Sequence, residues 1–257
     1  NLSTPLSKKL GLKYPFVAAP MFLISNREML VASAEAGILG CMPSLNARTP
    51  EKLKEDLAYI RERTDKPFGI NLTIGLTAPE RIEQDFALCV EYEVPVLLTS
   101  YGNPTELVRR AHEHRMTVFH DVIGLQHAKK AQAAGVDGVI AVAAGAGGHA
   151  GTVSPFALIP WLKQELDGTP ILAAGCISDG RQVVASLSLG AELCYIGTRF
   201  IASVECGAQP AYKDMVVTHL FQVLAFMAME PPTALTPEAI SEEKYKVFRS
   251  LLPVDPV

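Results

Sequence analysis

The segment most suited to chemistry is Ala143–Gly151, Ala-Ala-Gly-Ala-Gly-Gly-His-Ala-Gly. Its nine residues are four alanines, four glycines and one histidine, His149. So little side chain leaves bare backbone, which suits close approach to a flat ligand. His149 is the one titratable group in it, and an imidazole with an ordinary pKa of about 6.5 serves as acid or base near neutrality. Two further glycines stand where an anion would be held: Gly175 in Ala174-Gly175-Cys176, and Gly197 in Ile196-Gly197-Thr198. Backbone N–H groups at such turns, with a helix start behind them, attract phosphate, and the Thr198 hydroxyl adds a donor. Each glycine taken alone is equally consistent with a tight turn.

These residues need elements to carry them. Short apolar runs, read as strands, occupy Pro15–Pro20, Gly37–Met42, Pro67–Thr73, Val94–Ser100, Thr117–Asp121, Gly138–Val142, Pro170–Ala174 and Ala191–Ile196. Amphipathic runs, read as helices, follow them at Asn26–Ala36, Pro50–Arg63, Pro79–Tyr92, Pro104–His114, Leu125–Ala134, Ser154–Leu166, Asp179–Leu189 and Glu205–Met215. Thr49-Pro50 and Asn103-Pro104 set a capping residue before proline at a helix start. Gly37, Gly135 and Gly190 stand where helices should stop. Eight strands, each followed by a helix, predict an α/β fold, the (β/α)8 TIM barrel. Nearly continuous apolar strands agree with a sheet covered on both faces. A doubly wound open sheet would offer GxGxxG after the first strand; this one ends Ala19-Pro20-Met21. The barrel is assigned to residues 1–217, and a helical extension packed on it to 218–257, with helices expected at Leu220–Met229 and Pro237–Leu251.

In this fold chemistry gathers at the C-terminal ends of the strands. That rule selects Pro20 and Met21 after strand one, Asn71 on strand three, His120 and Asp121 on strand five, the His149 loop after strand six, and the Gly175 and Gly197 turns after strands seven and eight. Met21 could support an aromatic ring by sulfur contact or fill space. Tyr101 is a further candidate for lining the site, and His120 either points into the barrel or belongs to the core.

Several stretches taken together resemble the nitronate monooxygenase family, formerly 2-nitropropane dioxygenase. They are Ala19–Met21, Pro67–Leu72, Ala143–Gly151, Ser154–Leu158, Leu172–Gly180 and Ile196–Ala202. The resemblance spans roughly residues 10 to 217. It implies an FMN-dependent TIM-barrel oxidoreductase, with Ala19, Pro20, Met21 and Asn71 lining the isoalloxazine and Gly147 and Gly148 approaching it. Gly175, Gly197 and Thr198 would hold the phosphate, flanked by Ala174 and Ile196, and His149 would be the catalytic base. In nitroalkane-oxidising members that histidine removes the proton from the carbon bearing the nitro group, the flavin takes the electrons, and oxygen removes them. FMN-dependent enoyl-acyl-carrier-protein reductases share the barrel and the Gly-Gly-His loop.

Two departures from the family stand out. Some members place a lysine after the strand-five histidine; here it is Asp121, a carboxylate that would disfavour a reduced, anionic flavin unless protonated or bonded elsewhere. Beyond Val217 the expected pattern also breaks, running from Thr218-His219-Leu220-Phe221 straight to Met227–Pro232.

Composition narrows the function classes. The net charge of −4 does not suit nucleic acid. No apolar run approaches the ~20 residues of a membrane span, and no leader pattern opens the chain. The five cysteines are far apart, without metal-ligand spacing, which points away from zinc or a disulfide framework and toward free thiols in a reducing cytoplasm. The expected partners are a small-molecule substrate such as a nitronate, together with oxygen, and a homodimer stays open. The alternatives are an NAD(P)H-dependent enoyl-thioester reductase and a non-catalytic flavin-binding barrel.

Overall fold

In the computed structural model, described for residues 2–148, 151–210 and 213, eight parallel strands close into a barrel in sequence order. They are β1 (Phe16–Ala18), β2 (Leu39–Pro43), β3 (Phe68–Thr73), β4 (Val96–Ser100), β5 (Thr117–Val122), β6 (Gly138–Val142), β7 (Ile171–Ala174) and β8 (Leu193–Ile196). Closure comes from β8 pairing with β1, Tyr195 beside Val17 and Ile196 beside Ala18.

The helices are α1 (Pro5–Lys9), α2 (Arg27–Glu35), α3 (Pro50–Arg61), α4 (Pro79–Glu91), α5 (Thr105–Glu113), α6 (Leu125–Ala133), α7 (Pro155–Glu165), α8 (Gly180–Ser188) and α9 (Thr198–Ile201). Their ends follow local chemistry. The Thr49 hydroxyl accepts from the Lys52 N–H, and Gly37, Gly135 and Gly190 all take positive φ just past α2, α6 and α8. α5 starts one residue later than Asn103-Pro104 suggested, with Pro104 rather than Asn103 at the cap position. The Asn103 Oδ1 accepts from the Thr105 N–H at 3.0 Å and α5 begins at Thr105. The helix expected at Glu205–Met215 is not formed over Glu205–Gln209, and its end lies partly outside the described residues; the helix after β8 is instead the single turn α9.

Alternation along each strand divides the core in two. Val17, Leu39, Leu98, Phe119, Ile140 and Leu172 fill the barrel interior. The opposite faces, with Ile70, Leu97, Val118, Val139 and Ala173, pack under the helices. Leu6 and Leu12, on and just after α1, join the interior cluster, and α1 is tied to the start of β8 by the Leu6 N–H on Glu192 Oε2 at 2.8 Å. Side chains therefore fill the barrel and α1 closes its N-terminal end, leaving the opposite rim for a ligand.

Residues Asn1–Gly207 form one compact unit and Ala208–Val257 a second. The helices expected at Leu220–Met229 and Pro237–Leu251 lie outside the described residues. No helix among the described residues is long and apolar enough to cross a membrane.

Candidate active site at the C-terminal rim

The sequence-selected residues fall into groups along the rim. At β1, the Ser25 hydroxyl donates to the Ala19 carbonyl and accepts the Met21 N–H at 2.9 Å, while Asn46 Nδ2 donates to the carbonyls of Met21 and Ser25. The Ala19-Pro20-Met21 turn is thereby fixed by Ser25 of its own loop and by Asn46 from the loop after β2. Gly197 lies against it: a Cβ on Gly197 would stand 3.5 Å from Met21 Sδ and 4.0 Å from the Ala19 Cβ. The Ala19 N–H bonds the Ile196 carbonyl at 2.9 Å, so the ends of β1 and β8 are side by side.

The loops after β6 and β7 are pressed together. Gly175 has φ +114°, and a Cβ there would meet Ala146 N at 3.0 Å and the carbonyls of Ala143 and Ala144 at 3.2 Å. A Cβ on Gly145 would stand 2.3 Å from Cys176 Sγ. Cys176 is exposed and itself has positive φ, and its thiol is directed at the Ala144 carbonyl. At Gly175 glycine answers both a positive φ and backbone contact; at Gly145 it answers a positive φ and the Cys176 side chain. Gly147 and Gly148 differ: a Cβ on either meets no described residue within 4 Å. Bare backbone clear of the described side chains is the condition for a flat ligand to lie against it. His149, the expected base, lies outside the described residues.

Two helix starts compete for an anion after β7 and β8. The N-terminus of α8 is already filled by its own residues: Asp179 accepts from the N–H groups of Arg181 and Gln182, and Gln182 reaches back to the Ser178 and Asp179 N–H groups. The Ser178, Asp179, Arg181 and Gln182 N–H groups are thus already bonded within the turn. The first turn of α9, beginning at Gly197 and Thr198, carries no side-chain cap.

On the other side of the mouth the site is made of side chains. Asn71 (β3) donates through Nδ2 to Ser100 Oγ (β4) at 2.9 Å and to the Leu98 carbonyl at 3.2 Å. Ser100 Oγ donates to Asp121 Oδ2 (β5) at 2.7 Å. Asp121 Oδ1 is buried without a hydrogen-bond partner among the described residues. Burial pushes the Asp121 carboxyl up to about 6, against the pull of the Ser100 hydrogen bond. Tyr195 packs against the interior cluster; burial, then Asp121, then Cys41 keep its phenol neutral.

His120 turns the other way. It is buried among the residues under the helices, and its Nδ1 lies 2.7 Å from Thr99 Oγ1. Burial, with His127 nearby, pushes its pKa down to about 4, so it is a neutral core residue. Ser100 escaped the sequence reading because strand four offered no glycine or histidine at its end; its position as the last residue of β4 was the available signal. A separate open groove of about 440 Å3, lined by Ile123, Gly124, Leu125, Gln126, His127 and Trp161, contains none of the expected cofactor residues.

A family model described as nitronate monooxygenase matches residues 3–88 and 80–230. The chain belongs to the nitronate monooxygenase family. That family is one of flavin-dependent oxidoreductases, and this chain has the (β/α)8 architecture. Curated relatives include the 5-hydroxy-7a-methyl-1-oxo-octahydro-1H-indene-4-carboxyl-CoA dehydrogenase of Mycobacterium tuberculosis, 31% identical over 216 residues, 83% of this chain and 59% of the relative. A probable nitronate monooxygenase of Staphylococcus saprophyticus is 29% identical over 260 residues, 84% of this chain and 73% of the relative. The chain thus spans about three fifths of the length of that dehydrogenase. Among solved structures, FabK from Thermotoga maritima superposes with a TM-score of 0.79 at 35% identity, covering 85% of this chain and 68% of FabK. A nitroalkane oxidase from Streptomyces ansochromogenes superposes with a TM-score of 0.76 at 25% identity, covering 84% of this chain and 74% of the oxidase. A second family model, the C-terminal domain of glucose-6-phosphate dehydrogenase, matches residues 207–257. The break in the nitronate monooxygenase pattern after Val217 falls inside that second match, which begins at the boundary between the two compact units.

Proposed function

We propose that this member of the family binds FMN across the rim and oxidises an alkyl nitronate or nitroalkane, with oxygen as the electron acceptor. The observation that carries the reading is the bare backbone presented by the ends of the last three strands, with no described residue within 4 Å of a Cβ on Gly147 or Gly148. Gly175, with Gly197 and Thr198 at the uncapped start of α9, would hold the phosphate, flanked by Ala174 and Ile196. Ala19, Pro20 and Met21 would lie along the isoalloxazine, with Asn71 and Asp121 supplying polar atoms. Bound FMN supplies the electron-accepting chemistry, and the protein supplies placement and proton transfer. His149 would take the proton from the carbon next to the nitro group, a transfer typically worth about 10²–10⁴ in rate.

A second reading is supported by two observations. One relative is by name a carboxyl-CoA dehydrogenase. Asp121, when ionised, repels an anionic nitronate but not a neutral thioester. In that reading a nicotinamide would reduce the flavin for an enoyl thioester.

The test is the visible spectrum of the purified protein, followed by anaerobic addition of a nitronate and, separately, of NADPH. Bleaching by nitronate alone is expected. Rapid bleaching by NADPH instead selects the thioester reading, and a protein that will not take up FMN overturns both. His149→Ala is expected to keep the flavin spectrum and lose about 10²-fold or more in kcat. Unchanged turnover would take His149 out of the proton transfer, and an FMN-loaded wild type without turnover would reduce the barrel to a flavin binder.

A further inference from the structure

The Asn71–Ser100–Asp121 chain is complete except at one end. Asn71 uses both Nδ2 bonds and its Oδ1 accepts from Thr73 Oγ1 at 3.4 Å, while Ser100 both accepts and donates. Only Asp121 Oδ1 is left, buried and unpartnered among the described residues. An acceptor in that condition is unfavourable, and the penalty is relieved by a proton or by a donor arriving with a ligand. The groups facing it are Ser100 on β4, Asn71 behind Ser100 on β3, and Tyr195 on β8, whose phenol stays neutral. His120, adjacent in sequence, faces the helices and is neutral. Its carboxyl is moved by burial and by Ser100, and no cation among the described residues contributes. On the FMN reading above, this uncompensated carboxylate would stand beside the ring that takes up the negative charge.

We propose that Asp121 takes up a proton when the bound FMN is reduced and releases it on reoxidation, making the cofactor's electron affinity depend on pH through this carboxyl. This rests on the FMN reading above. As an electron pair passes from the substrate carbon to the flavin, added negative charge beside the carboxylate raises its proton affinity, and up to one proton moves from solvent to Oδ1. When oxygen removes the pair, the proton returns to solvent. A group titrating near pH 6 is mostly ionised at neutrality and is reprotonated by a modest further rise in its pKa.

The experiment is dye-equilibrated measurement of the flavin midpoint potential from pH 5 to 8.5, in the full FMN-loaded chain, for wild type, Asp121→Asn and Ser100→Ala. Wild type should fall more steeply with pH above a bend near 6. Asp121→Asn should lose that extra steepness and hold a higher potential than wild type at pH 8. Ser100→Ala removes the bond that favours the carboxylate, so its bend should move up by about one pH unit or more. Coincident profiles for wild type and Asp121→Asn, with FMN bound in both, overturn the proposal. If Asp121→Asn does not fold, a Ser100→Ala profile that superposes on wild type overturns it equally. A wild-type chain that takes up no FMN removes the reading beneath it, a result distinct from coincident potentials.

Discussion

The two sides of the rim are built from opposite materials. From β6 to β8 the surface is backbone: Gly175 is locked against Ala143, Ala144 and Ala146, while a Cβ on Gly147 or Gly148 would meet no described residue within 4 Å. From β3 to β5 it is a chain of side chains, Asn71 to Ser100 to Asp121, ending on a carboxyl oxygen without a partner. Backbone N–H groups have fixed polarity and no titration, so that side can grip the same anion at any pH. A buried carboxyl has two charge states near neutrality, so the other side can respond to electron transfer. A site made only of the first material would bind but would not sense charge.

The harshest test of this contrast is Gly175→Val. The new side chain would meet backbone atoms at 3.0–3.2 Å, at a φ that β-branched residues avoid. We expect a loss of roughly 2 kcal/mol or more in urea unfolding together with loss of FMN uptake. Retention of both would mean that the β6 and β7 loops are not held together by this contact.

Asp121→Asn tests the other side through stability alone, in the cofactor-free chain. The carboxyl's folded pKa of about 6 lies above its ordinary 3.8, so its favourable contribution is full below about pH 4 and is lost as pH rises through 6. The asparagine variant should therefore be more stable than wild type at pH 8, by on the order of 1–3 kcal/mol, and nearly equal to it at pH 4. Equal urea midpoints at both pH values would show that Asp121 does not titrate as a buried group.

The gentlest change is Gly147→Ala, where φ is not positive and a Cβ meets no described residue within 4 Å. Stability should stay within about 0.5 kcal/mol, while FMN affinity by fluorescence titration falls about tenfold. An unchanged affinity would take Gly147 off the cofactor surface.

Glycine-rich turns were legible in the sequence because their composition is their function. Gly175 announces close backbone approach, and the structure supplies the Ala143, Ala144 and Ala146 backbone atoms it approaches. Strand order was legible from the eight apolar runs, to within a residue or two at most ends. Asp121 could be read as a departure from the family, but its bond to Ser100 could not. Neither could the outward turn of His120, since neighbouring strand residues differ only in which face they take. The reciprocal bonds of Asp179 and Gln182 at the start of α8 were not legible either, because Asp179-Gly180 reads equally as an anion turn and as a helix cap.

What the sequence determined by itself was periodicity and punctuation: which runs pair as strands, where helices stop, and where the backbone must be bare. Those are local properties, set by side-chain spacing and by the conformations each residue tolerates. What only the tertiary structure decided was which polar atoms meet across neighbouring strands, and which of them remains unmatched. Barrel register places Asn71, Ser100 and Asp121 on one wall although tens of residues separate them along the chain. No local preference encodes a meeting that depends on closing the sheet.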